Sequence, residues 1–288
     1  MVIIMLKISI ITATYNSGRT LEQTILSVIR QDYPNIEYII VDGKSTDDTL
    51  EIIEKYACYG VIHISESDEG IYDAFNKGID MATGDYIQFL GSDDSLCSKD
   101  VISKVVTEID DSVDVLSAAV MIVDEKSGRQ YPFYNHIAID KNSYTGGMIP
   151  HPGMFVRSSI LRKYRFDKRY NITADYKFFL QCYFDNDVKF KFINDKVVYF
   201  SNAGKCSDRE LCVKENNQIY RELELPYHES LVNGRNKPIK YIKLCLYKIG
   251  LLTLTMRAVK RIRYILNSRI IWEKHKCDNK ICRWCNRG

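Results

Sequence analysis

The stretch "DYIQFLGSDD" (Asp85–Asp94) sets an apolar run, Tyr86–Leu90, against two adjacent carboxylates, Asp93 and Asp94. The run has the length and character of a buried strand. One charge at a strand end is ordinary turn chemistry. Two neighbouring carboxylates repel each other unless water, a base or a cation compensates them. The fold emerges from how often the chain repeats this arrangement.

It repeats upstream. "KISIITATYN" (Lys7–Asn16) is rich in β-branched residues and ends in a polar turn, as a buried strand does. Leu21, Ile25, Val28 and Ile29 then recur at helical spacing, with Asn16 or Ser17 as the expected N-cap. "IEYIIV" (Ile36–Val41) stops at Asp42 and Gly43. Ser45 and Asp48 resemble a loose capping box ahead of Leu50, Ile53 and Tyr56. "VIHI" (Val61–Ile64) is a third strand and Gly70–Ala82 a third helix. This alternation predicts an α/β fold, a mostly parallel sheet flanked by helices. In such sheets ligands bind beyond the carboxyl ends of the strands. Asn16, Asp42, Asp68 and Asp93 all fall there, so they are expected along one edge.

The second half is less regular. Val113–Val123 and Arg129–Tyr134 read as strands, and "YTGGMIPHPGMF" (Tyr144–Phe155) as a Gly/Pro-rich loop entering a strand. "TADYKFFLQCYF" (Thr173–Phe184) starts a helix with Phe178, Phe179 and Cys182 inward, and "VKFKFI" and "VVYF" are two further strands.

The 288 residues suffice for one large domain or two modest ones. The net charge of +3 is unevenly spread. From Lys237 onward 14 Lys/Arg face two acids, Glu273 and Asp278, leaving 26 basic against 35 acidic residues before it. The division is accordingly 1–228 for the α/β domain and 229–288 for a basic helical tail. Ile239, Ile242, Leu246 and Ile249 share one helical face with Lys240, Lys243 and Lys248 opposite. Leu251, Leu254, Ala258, Ile262 and Ile265 repeat the pattern. Packing on the domain is one reading; the charge favours an anionic membrane surface. Nine scattered cysteines indicate a reducing compartment, not a disulfide framework. His275, Cys277, Cys282 and Cys285 could ligate zinc, against the reading of a reduced tail. The apolar start lacks a basic leader and runs into a strand, so no signal peptide is expected. No stretch reaches the roughly 18–20 apolar residues of a membrane span. A cytoplasmic protein, peripheral on the inner face of the membrane, is expected, with no nucleic acid as partner.

"SIITATYN", "IIVDGKSTDDT", "GIYDAFNKGIDMATGDYIQFLGSDD", "HPGMF" and "TADY" appear in this order between Lys7 and about Phe200. Together they resemble glycosyltransferase family 2, the inverting nucleotide-sugar enzymes of GT-A fold, and most of all bacterial exopolysaccharide and O-antigen transferases. The resemblance implies a nucleoside-diphosphate sugar donor, UDP-sugar favoured, and a saccharide or polyprenyl-diphosphate-linked acceptor. It implies a divalent cation, Mg²⁺ or Mn²⁺, at Asp93, with Asp94 beside it, and donor contacts from Thr12, Tyr15, Asn16, Asp42 and Asp73. It makes Asp175 the catalytic base. His151, between two prolines in a Gly-rich loop, could touch the acceptor or the diphosphate, or be a structural loop histidine. Two positions depart from the family. Gly91 stands where an acid is usual, and Ala174 precedes Asp175 where many members have an acid.

Each residue also has a plainer reading. Asp93 and Asp94 could cap a helix near Ser98, Tyr15 could be core, and Asp73 with Asn76 could be a solvated helix face. Asp175 would be stabilised at a helix N-terminus whatever its role. A nucleotidyltransferase is a poor match, because "TATYNSGRT" has one Gly and one Arg; a dehydrogenase is poorer, for want of G-x-G-x-x-G. A non-catalytic sugar-nucleotide-binding protein on the same fold is the rival from another class.

Overall fold

The computed structural model describes residues 5–124, 127–134, 150–201, 208–225 and 273–274. The first strand, β1 (Ile8–Thr14), is buried along its whole length, as a central parallel strand covered on both faces must be. It pairs in parallel with β2 (Ile36–Asp42) and with β4 (Tyr86–Phe89), and β2 pairs in parallel with β3 (Val61–Ser65). Beyond β4 the sheet changes character. β8 (Met154–Arg157) runs antiparallel to β4, β6 (Val115–Val123) antiparallel to β8, and β7 (Arg129–Phe133) antiparallel to β6. The order is β7-β6-β8-β4-β1-β2-β3. The parallel expectation therefore holds for the first half, and the sheet as a whole is mixed.

The two strands expected from "VKFKFI" and "VVYF" are one, β9 (Phe190–Ser201), parallel to β6. A register shift between Ser117 and Val120 of β6 absorbs the exposed Asn194–Lys196 that separates the two apolar runs. The far end of β9 pairs with β5 (Ser95–Leu96), just past the two carboxylates.

Helices cover both faces. On one lie α1 (Leu21–Ile29), α2 (Thr49–Lys55) and α4 (Val101–Thr107), packing Leu21, Ile25, Ile53 and Ile102 against Ile8, Ile10, Tyr38 and Ile40. On the other lies α3 (Ile71–Met81), brought close to β1 by Gly78: a Cβ there would sit 2.5 Å from Ile11 Cγ2. α5 (Ser158–Tyr164) and α6 (Ala174–Phe184) follow β8. Thr20 stands at the N-cap of α1, not Asn16 or Ser17; the Ser17 carbonyl closes that turn, accepting from Thr20 and Leu21. Ser45 likewise forms no capping box, because its hydroxyl is bound to Asp42.

At the amino end of the strands Glu37 is buried and accepts from Lys7 Nζ, Ser9 Oγ and both the N–H and hydroxyl of Thr83. Residues 208–225 belong to a second compact unit. It contains α7 (Arg209–Glu222), whose N-cap Asp208 accepts from the N–H groups of Glu210 and Leu211. The two amphipathic stripes and the His275–Cys285 cluster lie outside the described residues, as does the expected boundary at 228.

Candidate functional site

After β4 the chain turns sharply: the Asp94 N–H donates to the Gly91 carbonyl at 3.0 Å. A Cβ on Gly91 would lie 2.7 Å from Asp94 Oδ2 and 3.0 Å from Asp93 Oδ1. Both carboxylates therefore fold back into the space a side chain at 91 would fill. Asp93 is half-buried and Asp94 almost fully buried. The start of α1 fixes the turn through Thr24 to the Asp94 carbonyl and Thr20 to the Ser92 carbonyl, both at 2.7 Å. Asp94 Oδ1 accepts the Ser201 N–H at 2.9 Å. Helix capping near Ser98 is not what these acids do; Asp100 occupies the N-cap of α4.

This arrangement fits a divalent cation. Mg²⁺ is usually held by one or two carboxylates together with substrate phosphates, and two converge here. Among the described residues no three His, Cys, Asp or Glu side chains gather into a complete metal cage.

Along the same edge, Asp42 ends β2 fully buried. Its carboxylate accepts the Ser45 N–H at 3.0 Å, the Ser45 hydroxyl at 2.5 Å and the Ser65 hydroxyl at 2.6 Å. A carboxylate offers about four acceptor positions, so these bonds orient it and leave room for one more donor. Gly43 follows without a side chain. A Cβ there would stand 2.6 Å from Asp68 Oδ2 and 3.4 Å from the Tyr15 ring, so Tyr15 and Asp68 flank bare backbone. Tyr15 is 59% exposed, not core. Asn16 adopts φ +50°, a left-handed conformation that asparagine tolerates better than most residues. That turn lets its Oδ1 accept the Thr46 N–H at 2.9 Å, joining the loop after β1 to the loop after β2.

Thr12 is placed apart from this group. It is fully buried, with its hydroxyl 3.2 Å from the Tyr38 phenol. Asp73 is engaged elsewhere too: Lys168 donates to it at 2.9 Å, the Glu69 N–H at 3.2 Å, and Lys77 lies at 3.5 Å. Burial pushes the Asp73 carboxyl up, but the Lys168 and Glu69 bonds outweigh it and hold the group below its ordinary value. Asn76 is bound on both sides to the backbone of Phe166. Together Asp73 and Asn76 anchor α3 to the segment between α5 and α6.

On the far side of β4, His151 follows Pro150 and precedes β8. Its ring stacks on Phe89 at 5.4 Å and meets Phe75 and Phe166 at 5.9 and 5.7 Å. Burial among these rings pushes the imidazole below its ordinary pKa, and the nearby Asp175 carboxylate opposes that shift. Asp175 is the second residue of α6 and half-buried. Its Oδ1 accepts the Tyr72 hydroxyl at 3.0 Å and the Tyr176 N–H at 2.8 Å. Two other acids of this region are engaged. Arg169 and Lys177 hold Asp167, and Tyr164 and Lys163 hold Asp185, both well below the usual carboxylate range.

The structure thus gathers Tyr15, Asn16 and Asp42 at the β1–β2 end, Asp93 and Asp94 at the β4 end, and His151 with Asp175 beside β4. Ser65, Tyr72 and Phe89 were not singled out from the sequence, and Ser45 was read there as a helix cap. Of the first three only Ser65 carried a local signal, as a polar residue closing an apolar strand.

The family model "Glycosyl transferase family 2" matches residues 9–179. A "PGL/p-HBAD biosynthesis glycosyltransferase" of Mycobacterium bovis is 29% identical over 69% of this chain and 78% of that protein. An uncharacterized glycosyltransferase of Methanocaldococcus jannaschii is 30% identical over 77% of this chain and 79% of its own length. Among solved structures, S. aureus TarS 1–349 in complex with UDP-GlcNAc superposes with a TM-score of 0.63 at 22% identity, covering 80% of this chain and 72% of that one. The mannosyltransferase PcManGT from Pyrobaculum calidifontis, in complex with GDP-Man and Mn²⁺, gives 0.60 at 16% identity, covering 89% of this chain and 75% of that one. These likenesses identify the mixed sheet as the GT-A fold. With the family model spanning Asp42, Asp93 and Asp175, the chain belongs to glycosyl transferase family 2 and is a glycosyltransferase.

Proposed function

We propose that the chain is an inverting, metal-dependent transferase that moves a sugar from a nucleoside-diphosphate sugar to a hydroxyl of a saccharide or lipid-linked saccharide in bacterial surface polysaccharide synthesis. The observation that carries this reading is Asp175: a half-buried carboxylate heading α6, beside His151, on a different crossing from the Asp93–Asp94 turn. An inverting displacement needs a base opposite the leaving group and within reach of the acceptor hydroxyl. Asp175 takes the hydroxyl proton while that oxygen bonds to the anomeric carbon and the bond to the diphosphate oxygen breaks. His151 borders the acceptor. Asp42 accepts a hydrogen bond from the nucleobase, and the exposed ring of Tyr15 offers a stacking face. Asp93, with Asp94 behind it, holds a Mg²⁺ or Mn²⁺ ion. Such an ion compensates charge on the departing diphosphate. UDP-GlcNAc in one neighbour and GDP-Man with Mn²⁺ in another support a nucleotide-sugar donor and a cation.

The basic residues from Lys237 onward favour a place on the anionic inner face of the cytoplasmic membrane. Among the described residues no helix is long and apolar enough to cross a membrane.

The test is nucleotide release from UDP-GlcNAc, UDP-glucose, UDP-galactose and GDP-mannose, with Mn²⁺ and with EDTA. The anomeric configuration of the product is then read by NMR. Mn²⁺-dependent release with inversion supports the reading. Binding without release supports the non-catalytic alternative.

A further inference from the structure

Tyr72 lies in the first turn of α3, about a hundred residues before the helix that carries Asp175. Its ring is buried, 5.6 Å from Phe166 and 6.3 Å from Phe75. Its hydroxyl is 2.6 Å from the Ile172 carbonyl and 3.0 Å from Asp175 Oδ1. A phenol has one proton to donate and a lone pair with which to accept. The Tyr176 N–H also donates to Oδ1, at 2.8 Å. Both bonds therefore fall on one oxygen. Among the described residues, Asp175 Oδ2 accepts no hydrogen bond.

We infer that Tyr72 is a positioning residue that makes Oδ2 the proton-accepting oxygen of Asp175. This inference rests on the reading of Asp175 as the catalytic base. Two donors on Oδ1 fix the plane of the carboxylate, so Oδ2 is held toward the acceptor with its lone pairs open. The pair of acceptors around Tyr72 also matters after the proton has moved. While Asp175 is ionised, the phenol proton is shared between Oδ1 and the Ile172 carbonyl. Once Oδ2 carries the acceptor's proton, Oδ1 is a weaker acceptor, and the phenol proton turns to Ile172 without any heavy atom moving. One hydroxyl can thus serve both protonation states of the base, because its second acceptor is backbone. Preorganisation of this kind costs nothing at the moment of reaction.

The experiment compares wild type, Tyr72→Phe, Asp175→Asn and the double variant. Nucleotide release, with water as acceptor, is measured from UDP-GlcNAc, UDP-glucose, UDP-galactose and GDP-mannose in Mn²⁺, with donor affinity and melting temperature alongside. Phenylalanine keeps the ring packing. Tyr72→Phe should lower kcat roughly 10- to 100-fold, the scale of a misplaced reacting group. KM and donor affinity should stay within about twofold, and Tm should barely move. In the Asp175→Asn background the same change should cost nothing further, because Tyr72 acts through that carboxylate. An unchanged kcat for Tyr72→Phe beside an inactive Asp175→Asn would overturn the inference and leave the base reading standing. So would an additive loss in the double variant, or a fall in Tm that accounts for the loss of activity. Full release by Asp175→Asn would overturn the base reading and this inference with it. No release from any of these donors by wild type would overturn the catalytic reading itself.

Discussion

Ser201 donates its backbone N–H to the buried carboxylate of Asp94 at 2.9 Å, tying the end of β9 to the acid turn after β4. Adjacent in sequence, Asp93 and Asp94 are thereby separated in duty. Asp94 has an oxygen committed to backbone that few other groups could satisfy, while Asp93 is the more accessible of the two.

Removing each acid should therefore give different losses. Asp93→Ala should remove Mn²⁺-dependent turnover while the protein melts near the wild-type temperature. Asp94→Ala removes the acceptor that Ser201 N–H now has, and loss of a buried hydrogen-bond partner costs about 1–3 kcal/mol. Its melting temperature should fall, and Asp94→Asn, which keeps an acceptor, should recover much of that loss. Thermal melts and Mn²⁺ titrations check this. Equal melting temperatures for the two alanine variants would contradict the division.

Asp42 is held by three hydrogen bonds from Ser45 and Ser65. Asp42→Ala should weaken donor binding by about 1.5–3 kcal/mol, the worth of a hydrogen bond to a charged group, and should also destabilise the fold by stranding both hydroxyls. Ser65→Ala leaves the carboxylate in place and should weaken binding less. Calorimetric titration with UDP measures both; an unchanged dissociation constant in Asp42→Ala would remove it from the nucleotide site.

The pH dependence of stability should have a component at the opposite end of the sheet. Burial pushes the Glu37 carboxyl up, but hydrogen bonds from Lys7, Ser9 and Thr83 overcome it and bring the group down to about 2. A carboxyl lowered in the folded state stabilises the protein above its unfolded value, near 4.5. That stability is lost as pH falls toward about 2. The shift corresponds to about 3 kcal/mol at most. Urea unfolding between about pH 5 and pH 2 should show this slope in wild type and a shallower one in Glu37→Gln. Parallel slopes would contradict it.

How much of this was legible in the sequence depends on the reach of the interactions. The parallel half followed from local pattern alone, because each of β1 to β4 is a short apolar run closed by a polar turn. Asp42 and Asp93 stand out locally as acids at strand ends and Asp175 as an acid at a helix start, while the roles proposed for them came from the family resemblance. The mixed half was harder to read: β9 is one strand only because it bulges between Phe192 and Val198, opposite Ser117–Val120 of β6. The roles of Tyr72, Ser65 and Phe89 depend on partners 23 to 103 residues away, which no window on the sequence contains. Asp73 drew attention as an acid near the crevice, but Lys168, 95 residues on, engages it.

Truncation after Asn236 tests the membrane role of the basic tail. The truncated chain should lose binding to vesicles containing phosphatidylserine and keep its affinity for UDP. Undiminished vesicle binding would contradict the proposed role of those charges.

Turnover by Asp175→Asn is the most direct test of the central claim. Asparagine nearly preserves the shape of the carboxylate and still offers an oxygen to Tyr72 and Tyr176, but it does not take the acceptor's proton. Turnover should fall by about 10²- to 10⁴-fold, the usual contribution of a positioned general base. Affinity for UDP and for Mn²⁺ should stay near wild type. Near-normal turnover would place the base elsewhere, and a matching loss of UDP affinity would make Asp175 a structural or nucleotide-binding residue instead.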